Sequence, residues 1–380
     1  MTSTTESTST TAAITSTTTE PAGGIVTIWH GWSDSESIGL AEVARRFQEA
    51  NPGILVQTRF VPMEDLRQEL VIAWIAGNGP TLAMGPSDWA RGFVENGMVE
   101  DLTPYLQSDF LNILNPTALS MLRVGEVLAG VPETIRGVVL FRNRTLVTTE
   151  LETLSEVAGV PNASFKRGAF FSLGHLTTAC NGVVVGPDGL PAFAGSAGVC
   201  WLQLVKALPG DPIEYYSGEN DALFREGAAP YLVDGTWSIE SLTAALGPDV
   251  LVIDRFPRVD SGRLSGLMQT EAVYLASGVE PEVRSAALAF VRYLVSVESQ
   301  TELAKVGRVP VIPGLDVGGL VGQAGRSLDS GTALPPMGGC YWGPLEDAIV
   351  AVLSGETEPL AALESAQATI AAEVSAKRCP

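Results

Sequence analysis

The sequence predicts an α/β fold large enough for two domains, and three observations carry that prediction. Residues 25–60 read as a strand, a helix and a second strand. Helical and strand patterns keep alternating after residue 60, as they do in sheets covered by helices. The chain has 380 residues, enough for two cores at roughly 100–200 residues per domain.

The first unit is the most explicit. The apolar run 25–28 reads as a buried strand that enters Trp29-His30-Gly31-Trp32. Ser33-Asp34-Ser35-Glu36 reads as a capping box, in which Ser33 bonds a backbone N–H and Glu36 reaches back. Leu40, Ala44 and Phe47 follow at helical spacing, and Asn51-Pro52-Gly53 stops the helix. Ile54, Val56 and Phe60 then alternate with Gln57 and Arg59 as a strand. Two indoles and an imidazole therefore stand at the carboxyl end of a parallel strand, where open α/β sheets bind small molecules.

Farther on, Leu66, Leu70 and Ala73/Trp74 form a helical stripe ending at Gly77. Residues 81–84 read as a short strand, and Ser87 as the cap of a helix running to Asn96-Gly97. Residues 138–141 and 229–233 read as buried strands, the second entering Asp234-Gly-Thr-Trp237. Val283, Ala287, Phe290, Val291 and Leu294 mark a helix over 280–297. Residues 343–354 and 358–376 read as two helices joined at Gly355. No period places elements between 151 and 196, and the Gly-rich stretch 313–337 reads as a long loop.

Bulk properties narrow the function. A formal charge of −20 makes nucleic acid or an anionic membrane a poor partner. No apolar run approaches the ~20 residues that span a bilayer. Residues 1–24, almost wholly Thr, Ser, Ala and Glu before Pro21 and Gly23-Gly24, cannot bury enough apolar surface to order and are expected to be a disordered tether. They lack the basic and apolar regions of an intact signal peptide. Such a segment is either an artificial tail or the tether of an exported lipoprotein without its signal and anchoring Cys.

The four cysteines, Cys180, Cys200, Cys340 and Cys379, can pair in three ways. The C-terminal helical hairpin would bring Cys340 near Cys379, leaving Cys180 to meet Cys200. Two disulfides would fit an oxidising compartment; the alternative is four separate buried thiols.

Signatures of catalysis are thin. There is no Walker loop, no Gly-x-Gly-x-x-Gly and no Gly-x-Ser-x-Gly elbow. His30 and His175 are too few and too far apart for a usual zinc set, and the cysteines lack metal-ligand spacing. No cofactor or metal is expected. Aromatic residues at turns are more telling: Trp32, Trp89, Trp237 and Tyr341-Trp342. Indole faces stack on sugar rings while nearby polar groups bond the hydroxyls. Trp29, Trp74 and Trp201 read as core, and His30 fits either role. Asp88 suits a ligand contact or the dipole of the helix it opens. Arg136 suits a hinge ion pair or a ligand donor.

Seven segments in order carry a resemblance. They are Val26-Thr-Ile-Trp29 with its capped helix, Phe47-x-x-x-Asn51-Pro-Gly-Ile54-x-Val56, Gly79-Pro80 with Asp88, and Phe224-Arg-Glu-Gly227 leading to Asp234-Gly-Thr-Trp237. Ala287-x-x-Phe290-Val-x-x-Leu294, Val309-Pro-Val311 and Ser354-Gly-Glu356 complete the set. Over roughly residues 25–380 the chain resembles the extracellular solute-binding proteins of ABC importers, in the group that includes maltose-binding protein.

The resemblance implies a two-lobed, periplasmic-binding-protein-like fold, each lobe a mixed sheet flanked by helices. Crossovers near 133–137, 264–271 and 314–335 would join lobe 1 (25–134 and 272–330) to lobe 2 (135–268 and 335–380), placing all four cysteines in lobe 2. It further implies a monomeric, non-enzymatic extracytoplasmic receptor that closes on a mono- or oligosaccharide and delivers it to the permease, touching the membrane only through a lipid anchor absent from this chain. Ligand contacts would come from His30, Trp32, Ser33, Asp34, Asp88, Trp89, Arg136, Trp237, Gln269, Tyr341 and Trp342. Arg136 stands where maltose-binding protein has a ligand-contacting acid, and 151–196 is shorter than its counterpart. An anionic or phosphorylated polyol is therefore the alternative ligand.

Overall fold

The computed structural model describes residues 23–379 apart from 33, 212–217, 336, 338 and 377. The tether over 1–24 falls almost wholly outside the described residues. So does Ser33, both as a site residue and as the first member of the expected capping box.

The strands that matter are β1 (Gly24–His30), β2 (Ile54–Phe60), β3 (Leu82–Pro86), β4 (Val131–Asn143), β5 (Tyr231–Gly235), β6 (Leu251–Asp254), β7 (Leu267–Leu275), β8 (Val309–Pro310) and β9 (Thr332–Ala333). Among the described residues they form one nine-stranded sheet along the path β8-β4-β7-β3-β1-β2, with β5 and β6 on β4 and β9 on β7. β1 pairs in parallel with β2 and β3. The helices Asp34–Ala50 and Met63–Ile75 make the crossovers between these strands, as parallel pairing requires. β7 then runs antiparallel to both β3 and β4.

β4 joins the two lobes because its two halves have different neighbours. Thr134 and Ile135 pair with β8, and Val131–Gly137 lie beside β7. From Val138 onward the partners are β5 and then β6. Almost every residue of β4 is buried, the apolar run Val138–Phe141 and the polar Glu133, Thr134, Arg142 and Asn143 alike.

Three apolar clusters follow this division. One packs Phe47, Leu66, Leu82, Phe93 and Phe290 on the first lobe and continues along β4 to Phe141, Leu232 and Leu242. A second lies among the helices Ala169–Thr178, Ser196–Ala207, Trp342–Leu353 and Pro359–Ser375, around Leu173, Trp201, Ile349 and Ile370. A third covers the other face of β4 and β5 with Val138, Leu140, Phe165 and Val233. Trp201 is fully buried, and Trp29 and Trp74 pack partly buried against the first cluster.

Two expectations need correction. The Gly-rich stretch 313–337 contains a helix, Gly319–Leu328, and the strand β9. Its glycines weaken the helix intrinsically, but burial of Ala324 and Leu328 overrides them. That helix is bonded to β6, Gln323 Oε1 accepting from Ile253 N–H at 2.7 Å and Ser327 Oγ donating to Asp254 O at 3.1 Å. It therefore packs beside β6 and β4, and it also meets β8, where Val309 lies 3.6 Å from the Cβ position of Gly325. Ser87 caps nothing: a 3₁₀ turn, Ser87–Trp89, begins at it and leads into the helix Ala90–Glu95 without a side-chain cap bond.

The cysteines pair as Cys180–Cys200 and Cys340–Cys379, with S–S distances of 2.01 and 1.97 Å. Among the described residues no cysteine is free.

Candidate functional site

Two strands, one in each lobe, end in the same local device. β3 runs into the 3₁₀ turn Ser87–Trp89 and the helix Ala90–Glu95; β5 runs into the 3₁₀ turn Thr236–Ser238 and the helix Ile239–Leu246. In each case an indole folds back over a strand glycine. A Cβ at Gly85 would stand 2.3 Å from Trp89, and one at Gly235 would stand 2.1 Å from Trp237. Only glycine permits that approach. Asp234 secures the second turn, its carboxylate accepting from Gly235 N–H at 2.7 Å and from Ser238 Oγ–H at 3.0 Å.

The two indoles differ in their surroundings. Trp89 is 6 % exposed and packs edge-on against Phe93 at 5.8 Å. Trp237 is 51 % exposed. Its inner side meets Phe170, with ring centroids 6.0 Å apart, and Phe170 lies 5.8 Å from Trp342. The three rings form an aromatic platform, tilted to one another by 47° and 54°.

Phe170 owes its place to the residues around it. Arg167 is buried and donates to the carbonyls of Val205, in the last turn of the helix Ser196–Ala207, and of Leu208, Gly210 and Asp211 beyond it. A cation suits that position, where carbonyls lack helical partners. Two residues on, Ala169 N–H donates to Glu346 Oε1 at 2.9 Å, one turn beyond Trp342. Burial raises the Glu346 carboxyl above its ordinary value. Beside the platform, Lys166 Nζ lies 4.7 Å over the Phe171 ring and pairs with Asp221 at 2.9 Å and Asp234 at 3.7 Å.

The remaining expected residues divide by exposure. Asp34 and Asp88 are exposed beyond the carboxyl ends of β1 and β3, Asp34 with a φ of +47°. Arg136 and Gln269 face each other across β4 and β7, both half-buried. Arg136 binds Glu271 Oε1 at 3.0 Å, so its charge is already matched.

Four rings expected to face a ligand turn inward instead. Trp32 is 1 % exposed, its N–H donates to Glu271 Oε2 at 2.8 Å, and the Arg308 guanidinium covers its face at 4.1 Å. Trp89 is in the core as described. Tyr341 is buried within the second cluster. His30 is buried on the same face of β1 as Val26 and Ile28, and desolvation lowers its pKa. A position at a strand end does not by itself turn a ring outward.

Phe170, Lys166 and the Glu133–Glu271–Arg308 cluster were not anticipated. Phe170 and Lys166 lie where the sequence shows no period. The cluster joins residues far apart in the chain, whose only local signal is a run of acidic and basic residues in otherwise apolar strands.

Residues 42–318 match the bacterial extracellular solute-binding protein family. A maltotriose-binding protein of Pyrococcus abyssi is 25 % identical over 371 residues, covering 88 % of this chain and 78 % of its own. A galactooligosaccharide-binding protein of Bacillus subtilis is 22 % identical over 383 residues, covering 91 % and 89 %. Among solved structures, an extracellular solute-binding protein of Staphylococcus aureus in complex with maltose superposes with a TM-score of 0.81 at 16 % identity, covering 94 % of this chain and 99 % of its own. A cyclo/maltodextrin-binding protein complexed with maltotetraose gives 0.80 at 19 %, covering 94 % and 98 %. Both share the two-lobed fold, and the family match spans well over half of this chain. The protein belongs to the bacterial extracellular solute-binding proteins.

Proposed function

We propose that this chain is a non-enzymatic, extracytoplasmic receptor that binds a neutral oligosaccharide between its lobes and delivers it to an ABC importer. The observation that carries the reading is the half-exposed Trp237, backed by Phe170 and Trp342. A flat apolar face flanked by Asp234, Asp221 and Lys166 suits a pyranose ring, whose faces are apolar and whose rim is hydroxylated. The names of the relatives point the same way, toward maltotriose and galactooligosaccharides. The anionic ligand loses its support because Arg136 is already paired with Glu271.

Binding would draw the lobes together about β4, β7 and the chain between β8 and β9, and the closed form would dock on the permease. No helix among the described residues is long and apolar enough to cross a membrane. Lobe 1 is taken as 25–134 with 272–330 and lobe 2 as 135–268 with 335–380, the helix Gly319–Leu328 touching β8 of the first as well as β4 and β6.

Calorimetric titration with maltose, maltotriose, a galactooligosaccharide, sugar acids and polyol phosphates tests this reading. One neutral sugar should bind with a stoichiometry of one and be recovered intact. Binding confined to the anions would overturn the choice of ligand, and a cleaved sugar would overturn the receptor.

A further inference from the structure

Cys340 lies in the 3₁₀ turn Gly339–Tyr341, and Trp342 opens the helix that follows. The turn has only three residues, too few to hold itself by its own hydrogen bonds. Inward, the buried Tyr341 anchors it. Outward, the anchor is the bond to Cys379, which fixes the two Cα atoms 5.1 Å apart. Cys379 is itself tied down, because Arg378 Nε and Nη2 donate to Glu373 at 2.9 and 2.8 Å and so hold it to the end of the helix Pro359–Ser375. The residue after Trp342 is glycine, with nothing near its Cβ position, so no side chain there wedges the turn.

We propose that the Cys340–Cys379 disulfide is a positioning element for the sugar-stacking face, setting Trp342 against Phe170 and through it backing Trp237. This inference rests on the receptor reading above. The other disulfide supplies an internal control. Cys180 lies ten residues beyond Phe170, past the far end of the helix Ala169–Thr178, roughly 15 Å away at the helical rise. It links the residues after the helix Ala169–Thr178 to the helix Ser196–Ala207, not to the turn that carries Trp342.

The test is calorimetric titration of the full chain with maltotriose. The variant C340S/C379S should bind about tenfold or more weakly, while C180S/C200S stays within about twofold of the parent, although both lower the Tm. In a W342A background, removing the 340–379 link should cost no further affinity, because the link acts through that ring. Should C340S/C379S fail to fold, C180S/C200S titrated with and without dithiothreitol makes the same comparison. The dithiol gives two electrons and two protons to the one remaining disulfide and closes to its own cyclic disulfide. Unchanged affinity on breaking the link, or an equal loss in the W342A background, would overturn the positioning role alone. A parent protein that binds none of the sugars would overturn the receptor reading and this inference with it.

Discussion

Arg308 stacks its guanidinium 4.1 Å above the Trp32 indole, and both residues bind the same carboxylate, Glu271, at 2.7 and 2.8 Å. Arg308 also reaches Glu36 at 3.0 Å, Glu133 at 3.4 Å and Thr134 Oγ1 at 2.7 Å. One cation thus joins the helix after β1 to β4, β7 and β8, where the chain passes between lobes. Burial pushes the Glu133 carboxyl up to about 8. Burial would raise Glu271 as well, but Arg308 and Arg136 hold it below its ordinary value.

Removing the cation takes from Glu271, Glu133 and Glu36 the guanidinium they share and leaves Arg136 beside Glu271. Arg308→Met should cost about 3–5 kcal/mol, the usual penalty for breaking a buried ion pair from one side. Denaturant titration measures it. The double variant R308M/E271Q should recover part of the loss, and no recovery would mean that Arg308 acts by packing alone.

Glu133 sets a pH dependence whose sign follows from its raised pKa. Between about 4.5 and 8 the folded chain keeps a proton that the unfolded chain releases, so this residue's contribution to stability falls as pH rises through that window. Glu133→Gln keeps the neutral shape. It should match the parent near pH 5 and exceed it at pH 9 by a few kcal/mol at most, each pKa unit being worth about 1.4 kcal/mol. Parallel stability curves for the two proteins would refute the assignment.

His175 acts on the acid side. Burial lowers its pKa to about 4, and its Nδ1 lies 2.9 Å from Ser265 O and 3.3 Å from Ser265 N. The unfolded chain takes up a proton near pH 6.5 that the folded chain refuses, so stability is lost as pH falls from 6.5 toward 4. Thermal melts of His175→Asn should show a flatter acid limb than the parent.

Trp237→Ala should weaken sugar binding by ~1–3 kcal/mol, from the apolar area such a ring buries. It should move the Tm little, since half of the ring is already exposed. Phe170→Ala should lower both affinity and Tm, because that ring packs on two clusters. Titration and melting of the same samples separate the two effects.

Much of the backbone was legible in the sequence, and side-chain direction was not. The first strand–helix–strand unit could be read because β1 and the start of β2 alternate in burial, although Phe60, which continues the apolar spacing, is 47 % exposed. The helix Ala169–Thr178 could not, since Ala169, Ser172, Leu173, Gly174, His175 and Leu176 are all buried and leave no polar face to reveal a period. The helix Gly319–Leu328 was hidden by its glycines. Trp237 was expected to face outward and does so, whereas Trp32 turns in toward Glu271 and Arg308, partners 239 and 276 residues away that no local pattern relates to it.

The unequal exposure of the tryptophans has an optical consequence. Trp32 and Trp201 are sealed from water while Trp237 stands half open. A collisional quencher such as acrylamide would then reach Trp237 far more readily than the sealed pair. With Trp237 in the proposed sugar site, quenching of intrinsic emission would report occupancy without any attached dye, and the protein could serve as a label-free sensor for its sugar.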